Sequence, residues 1–125
     1  MMAAMTQPAR RRVALVSGDL MFQSQLSAAL SRNGGDLVPV SGRELPDLDF
    51  DTAFVDLNAD TPHRLGMIAR IRQDSPAMEI VAFCHHEQDQ TRRQAMALGA
   101  TSCVTNGALQ AVALRIMGVN VRSER

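Results

Sequence analysis

The chain has no lysine: all 13 basic residues are arginine, 13 acidic residues oppose them, and the formal net charge is zero. A balanced charge provides no field to draw the protein toward nucleic acid or an anionic membrane. No amine is available to stand beside a carboxylate or a phosphate. There is no tryptophan or tyrosine either, so the usual aromatic platforms for bases or sugars are missing, and the four phenylalanines are left for packing. Two cysteines, Cys84 and Cys103, are too few for a secreted disulfide scaffold and read as small buried thiols. No apolar stretch approaches the about 20 residues of a membrane span, and Val13 to Val16 is too short for a signal-peptide core. The sequence therefore predicts a cytoplasmic protein with no membrane or nucleic-acid partner. It also lacks G-x-G-x-x-G, a Walker lysine and any spacing that supports a Ser-His-Asp or Cys-His-Asn arrangement, so no catalytic residue is assigned and an enzyme is not expected.

What is present fits one core of 125 residues, long enough to bury roughly two-thirds of the unfolded surface. Residues 1 to 10 read as a flexible N-terminal tail. The cluster Arg10-Arg11-Arg12 at its end brings the chain out of solvent ahead of the first strand. Val13-Ala14-Leu15-Val16 is a continuous apolar run of the kind covered on both faces in a parallel sheet. Leu20 to Arg32 sets Phe22, Leu26, Ala29 and Leu30 at helical spacing, with Asp19 as cap and Asn33-Gly34-Gly35 as stop. Leu37 to Val40 reads as a strand confined to a sheet edge by Pro39. Residues 41 to 50, with Gly42 and Pro46, leave room for a short helix or a loop. A strand follows over 52 to 57. Pro62 opens a helix whose buried stripe is Leu65, Ile68, Ala69 and Ile71 or Arg72, and Asp74-Ser75-Pro76 ends it.

Ile80 to Phe83 form the next strand. The helix over 88 to 98 has few apolar positions, Ala95, Met96 and Leu98, and should lie loosely on the sheet before Gly99 stops it. Cys103 to Thr105 make the last strand, and Leu109, Val112, Ala113, Ile116 and Met117 mark a closing helix. Strands alternating with helices require right-handed crossovers. The expected fold is a doubly wound α/β domain, a five-stranded parallel sheet with helices on both faces. Functional groups of such sheets collect beyond the carboxyl ends of the strands. The unusual residues fall there: Ser17-Gly18-Asp19, Asp56, Cys84-His85 and Thr105-Asn106-Gly107. Aspartate is disfavoured in strands, so Asp56 closing an apolar run points to a helix cap, a metal ligand or a phosphoryl acceptor.

Four stretches, VALVSGD, FDTAFVDLN, IVAFCHH and ALGATSCVTNGAL, resemble the receiver domain of bacterial response regulators. The resemblance covers residues 11 to 117, implies strand order 2-1-3-4-5, and leaves 118 to 125 as a C-terminal tail or the start of a linker. In receivers the aspartate at the position of Asp56 is phosphorylated by a partner histidine kinase. The family also supplies an acidic pair, a strand-four hydroxyl and a strand-five lysine followed by proline. Here Ser17 and Gly18 stand in the acidic-pair positions, Cys84 at the hydroxyl, Asn106 at the lysine and Gly107 at the proline. Cys84 and Cys103 occupy the switch positions, and the aromatic rotor is absent. The resemblance thus implies a degenerate site that binds Mg²⁺ weakly, through Asp56 and Asp19 if at all, with Asp19 read first as a helix cap.

The leading expectation is a pseudo-receiver that binds a protein without phosphorylation, the partner being a histidine kinase or an output protein. The family's usual face, also used for homodimers, here carries Arg92, Arg93 and Met96, with Arg115 further on. One alternative is a receiver still phosphorylated at Asp56. Another is a redox or metal sensor built on Cys84 and Cys103 beside His85 and His86, although three consecutive residues cannot converge on one ion without a sharp turn.

Overall fold

Val13 to Val16 contain no polar residue because both faces of their strand are covered. In the computed structural model, which describes residues 10–41, 45–46 and 49–118, strand β1 (Arg11–Val16) lies between β2 (Gly35–Val40) and β3 (Thr52–Asp56). Next come β4 (Glu79–Cys84) and β5 (Ser102–Thr105). All pairs are parallel, in the order β2-β1-β3-β4-β5. Pro39, which has no N–H to donate, sits on the edge strand β2. The two expected tails lie outside the described residues except for Arg10 and Gly118.

Side chains alternate across each strand, so the central strands feed two separate cores. Val13, Leu15, Phe54, Val81 and Phe83 join Leu26 and Leu30 of α1 (Leu20–Ser31) and Leu109, Ala113 and Ile116 of α4 (Leu109–Ile116). Ala14, Val16, Ala53, Val55, Ile80, Ala82 and Cys84 face the other way. They meet Leu65, Met67, Ile68 and Ile71 of α2 (Thr61–Asp74) and Ala95 of α3 (Asp89–Leu98). Phe83 is fully buried and meets Phe22 edge to face, with ring centroids 5.0 Å apart. Such a ring contributes about 1.5–3 kcal/mol by burial and about 0.5–1.5 kcal/mol more by edge contact.

Between β2 and β3 the described residues are irregular. Leu45 and Phe50 press against the α2 and α3 face, so this crossover covers the sheet with two apolar anchors. The buried stripe of α2 includes Met67 and leaves Ala69 and Arg72 only partly covered. Ala95 is the sole buried residue of α3, whose Met96 and Leu98 are exposed, in keeping with a helix resting lightly on the sheet. Gly34, at φ +88°, makes the left-handed turn after α1, whereas Gly35 opens β2 instead of ending the helix. A side chain on Gly35 would meet Met117 Sδ at 3.0 Å and Leu30 Cβ at 3.3 Å, so its smallness lets α1 and α4 close over the sheet.

Candidate functional site

The carboxyl ends of β1, β3, β4 and β5 converge on Asp56, the last residue of β3, which is only 3% exposed. Ser17, one residue past β1, is also buried. Its Oγ donates to Asp56 Oδ2 at 2.6 Å and accepts from the Asp19 N–H at 3.0 Å. Asp19 in turn caps α1, its carboxylate accepting from the N–H groups of Met21 at 2.8 Å and Phe22 at 3.4 Å. The short turn Ser17-Gly18-Asp19 is therefore tied to Asp56 at one end and to a helix at the other.

The second oxygen of Asp56 is closed by a residue that the sequence reading did not single out. Asp56 Oδ1 accepts from the backbone N–H of Asn58 at 2.8 Å and from Asn58 Nδ2 at 2.7 Å. The spacing of an aspartate two residues before a donor is the signal that could have revealed it. The Asn58 amide then pairs reciprocally with Asn106: Asn58 Nδ2 donates to Asn106 Oδ1 at 3.0 Å, and Asn106 Nδ2 donates to Asn58 Oδ1 at 3.1 Å. This pair joins the loop after β3 to the 3-10 turn Asn106–Ala108 that follows β5.

A buried negative charge is thus held by three neutral donors. The nearest guanidinium hydrogen-bonded to Asp56, that of Arg64, donates at 2.9 Å to its main-chain carbonyl and not to the carboxylate. Hydrogen bonds to an ionised acceptor are roughly twice as strong as neutral ones, which lets the charge remain buried. Ser17→Ala removes the Oδ2 donor and is expected to cost about 1–2 kcal/mol; an unchanged urea midpoint would mean that water replaces the hydroxyl without loss.

Beside this network, Cys84 Sγ and Cys103 Sγ are 4.0 Å apart, and both thiols are free. Burial, then the neighbouring Cys84, push the Cys103 thiol from 9.0 up to about 12, while Arg92 acts in the opposite direction. A raised thiol leaves stability untouched below the ordinary value and erodes it as pH climbs from there through the folded-state value, so Cys103 stays protonated at neutral pH. His85 and His86 are exposed, stacked on each other with centroids 4.5 Å apart.

No protein-family model matches the chain, and no curated protein matches it. Solved structures do. A CheY-like response regulator receiver domain protein from Methanospirillum hungatei superposes with a TM-score of 0.75 at 11% identity, covering 87% of this chain and 91% of its own. A response regulator from Thermotoga maritima gives 0.74 at 17% identity, over 87% and 98%. An orphan response regulator of H. pylori gives 0.71 at 15% identity, over 90% and 98%. The chain has the receiver fold.

Asp56 closes β3, and the residues around it differ in chemistry from an acidic cation site. Mg²⁺ requires hard oxygen ligands in near-octahedral geometry. Gly18 offers no side-chain oxygen, Asp19 spends its Oδ1 on the helix cap, and both Asp56 oxygens already accept hydrogen bonds. These donors do not fit that ion.

The surface residues are distributed unevenly. Arg92, Arg93 and Met96 line one groove of about 470 Å³ on α3 together with Asp89. Arg115 lies on α4 and pairs with Glu79 at 2.9 Å. Arg92 is half-buried, donating to the carbonyls of His86 at 3.1 Å and of His85 and Cys103 at 3.5 Å, whereas Arg93 is exposed. Among the described residues no helix is long and apolar enough to cross a membrane.

Proposed function

We propose that this domain is an atypical receiver-like signalling module that binds a partner protein through its surface, independently of phosphorylation and without catalysis of its own. The observation that carries this reading is the neutral network of Ser17, Asn58 and Asn106 around the Asp56 carboxylate. Phosphoryl transfer to a carboxylate needs an oxygen free to attack and positive charge to stabilise the transferred group. Here both oxygens are capped, and the positions around them carry no charge to neutralise a phosphoryl group. The absence of an aromatic rotor at Cys103 supports the same reading, since a change of state needs contacts that differ between the states.

The partner is a histidine kinase or an output protein, met in the cytoplasm, with homodimerisation through the same face as the self-association mode. The α3 groove with Arg92, Arg93 and Met96 is the favoured contact. Incubating the full chain with acetyl phosphate, or with beryllofluoride, and Mg²⁺ in the millimolar range is expected to leave the intact mass and the amide spectrum unchanged. Stable modification of Asp56 with widespread shifts would overturn the proposal and restore a phosphorylated receiver. Arg93→Glu is expected to abolish capture of any partner docking on α3; unaltered capture would move the interface elsewhere.

A further inference from the structure

The amino-terminal pole of the sheet, at the opposite end of β3 from Asp56, carries a cleft that neither the capped aspartate nor the α3 groove uses. We propose that this cleft, of about 430 Å³ between residues 49–51 and 75–78, is a docking pocket for an arginine side chain presented by a partner protein. One wall is the segment entering β3, and the other is the turn from α2 into β4.

The floor is apolar and anchored. Phe50 and Met78 are half-buried and press on the core beneath α2 and α3, with Pro76 exposed beside them. The walls are fixed before anything binds. The Asp51 N–H donates to the Arg12 carbonyl at 3.0 Å, the Ser75 N–H to the Ile71 carbonyl at 2.8 Å and the Met78 N–H to the Ser75 carbonyl at 3.1 Å. Arg72 ties down the carbonyls of Ser75, Pro76 and Met78. A pocket already ordered in the free protein spares the complex that entropy.

The rim is negative. Asp49 and Asp51 are both exposed, and among the described residues no arginine forms an ion pair with either. Arg12 reaches Asp51 only through its main-chain N–H, at 3.2 Å from Oδ2. Two carboxylates over an apolar floor call for a cation on an apolar stem. A metal ion does not fit, since no group of three or more ligating side chains is placed to hold one among the described residues. Phosphate is repelled, which excludes nucleic acid and lipid headgroups. Of the two cationic side chains, the planar guanidinium serves two carboxylates and stacks on an aromatic ring such as Phe50, whereas an ammonium holds its water. The occupant comes from another molecule, because α4 ends on the other face of the sheet, with Met117 against Gly35.

The test is an amide NMR titration of the full chain with acetyl-Gly-Arg-Gly-amide, beside the lysine peptide and the citrulline peptide, which keeps the arginine shape without its charge. Shifts confined to residues 49–51 and 75–78, with a Kd near about 1 mM for so small an anchor, are the expected result. The citrulline peptide should bind at least about fivefold more weakly, and so should the arginine peptide to a chain carrying Asp49→Asn and Asp51→Asn. Phe50→Leu, which keeps the floor apolar, should remove the preference for arginine over lysine. Arg93→Glu, which probes the α3 groove, should leave all of this unchanged. Equal binding of the citrulline peptide, shifts centred on α3, or none at about 10 mM peptide would overturn the proposal. So would the same shifts without peptide, either on Arg122→Gln with Arg125→Gln, which assigns the cleft to this chain's own C-terminal residues, or on raising the protein concentration, which assigns it to a second copy.

Discussion

A chain carrying Ser17→Asp, Gly18→Asp and Asn106→Lys together is expected to be modified at Asp56 by acetyl phosphate, in millimolar Mg²⁺, at least about 10²-fold faster than the natural chain. Each substitution adds one charge, and those at Ser17 and Asn106 also remove an element of the neutral network. Ser17→Asp deletes the hydroxyl that donates to Asp56 Oδ2, and Asn106→Lys breaks the amide pair that holds Asn58 in place. Gly18→Asp meets no steric objection, since a Cβ at Gly18 has nothing within 4 Å. Two added carboxylates beside Asp56 give a hard cation its oxygens, and the lysine gives the transferred group a positive neighbour.

The same variant has a second readout that needs no phosphoryl donor. Without Mg²⁺, a carboxylate at position 17 lies against the buried Asp56, and like charges at such range disfavour ionisation and burial together. The metal-free variant should therefore melt below the natural chain and recover as Mg²⁺ is added, because a ligand that binds only the folded state stabilises it by mass action. The natural chain should show no such dependence. Asp56→Asn within the triple variant must abolish the modification. Modification of the natural chain at the same rate would mean that the Ser17 and Asn58 hydrogen bonds open readily, and the inert-site reading would fall.

How far the sequence disclosed this arrangement follows from the range of the forces involved. The strands were legible because a strand buried on both faces has to be continuously apolar, as Val13 to Val16 and Ile80 to Phe83 are. The parallel sheet followed from alternation and the order of its strands from the family resemblance, and Asp19 was legible as a cap because capping is local. The pairing of Asn58 with Asn106 was not, since it joins residues 48 apart. Gly35 was misplaced as a helix stop because the approach of Met117, at the far end of the chain, decides its role. Met67 escaped because α2 is covered along a wider stripe than a narrow reading of its period allows. The 4.0 Å approach of the two thiols depends on side-chain direction across neighbouring strands, which spacing alone does not encode.

Arg72→Ala is expected to destabilise the domain by about 2–4 kcal/mol, more than any single change at the Asp56 network. Its guanidinium binds across three separate segments. Nε donates to the Gly99 carbonyl at 2.9 Å, Nη1 to the carbonyls of Pro76 and Met78 at 2.8 Å and Ser75 at 3.3 Å, and Nη2 to Thr101 Oγ1 at 3.1 Å. Thr101 Oγ1 also accepts from the Ile80 N–H at 3.0 Å. The end of α2, the start of β4 and the turn into β5 are thereby joined through one side chain. Its loss strands carbonyls that are partly buried, and each stranded group carries a desolvation penalty of about 1–3 kcal/mol. Arg72→Lys should recover little, because an ammonium has three donors on a flexible stem where the guanidinium presents five in a fixed plane.

Gly99 makes that prediction testable by coupling. It sits at φ +120°, and a Cβ there would lie 2.7 Å from Arg72 Cγ and 2.8 Å from Arg72 Cβ, so Gly99→Ala alone should cost about 2 kcal/mol or more through backbone strain and overlap. In the double variant the overlap with Cγ disappears along with the arginine, while the contact with the Cβ of residue 72 and the strain at φ +120° remain. The two penalties should therefore sum to less than their separate values, by about 0.5–3 kcal/mol of coupling. Urea unfolding of the two single variants and the double would measure it. Strict additivity would mean that Arg72 moves aside at no cost when a Cβ is placed at position 99.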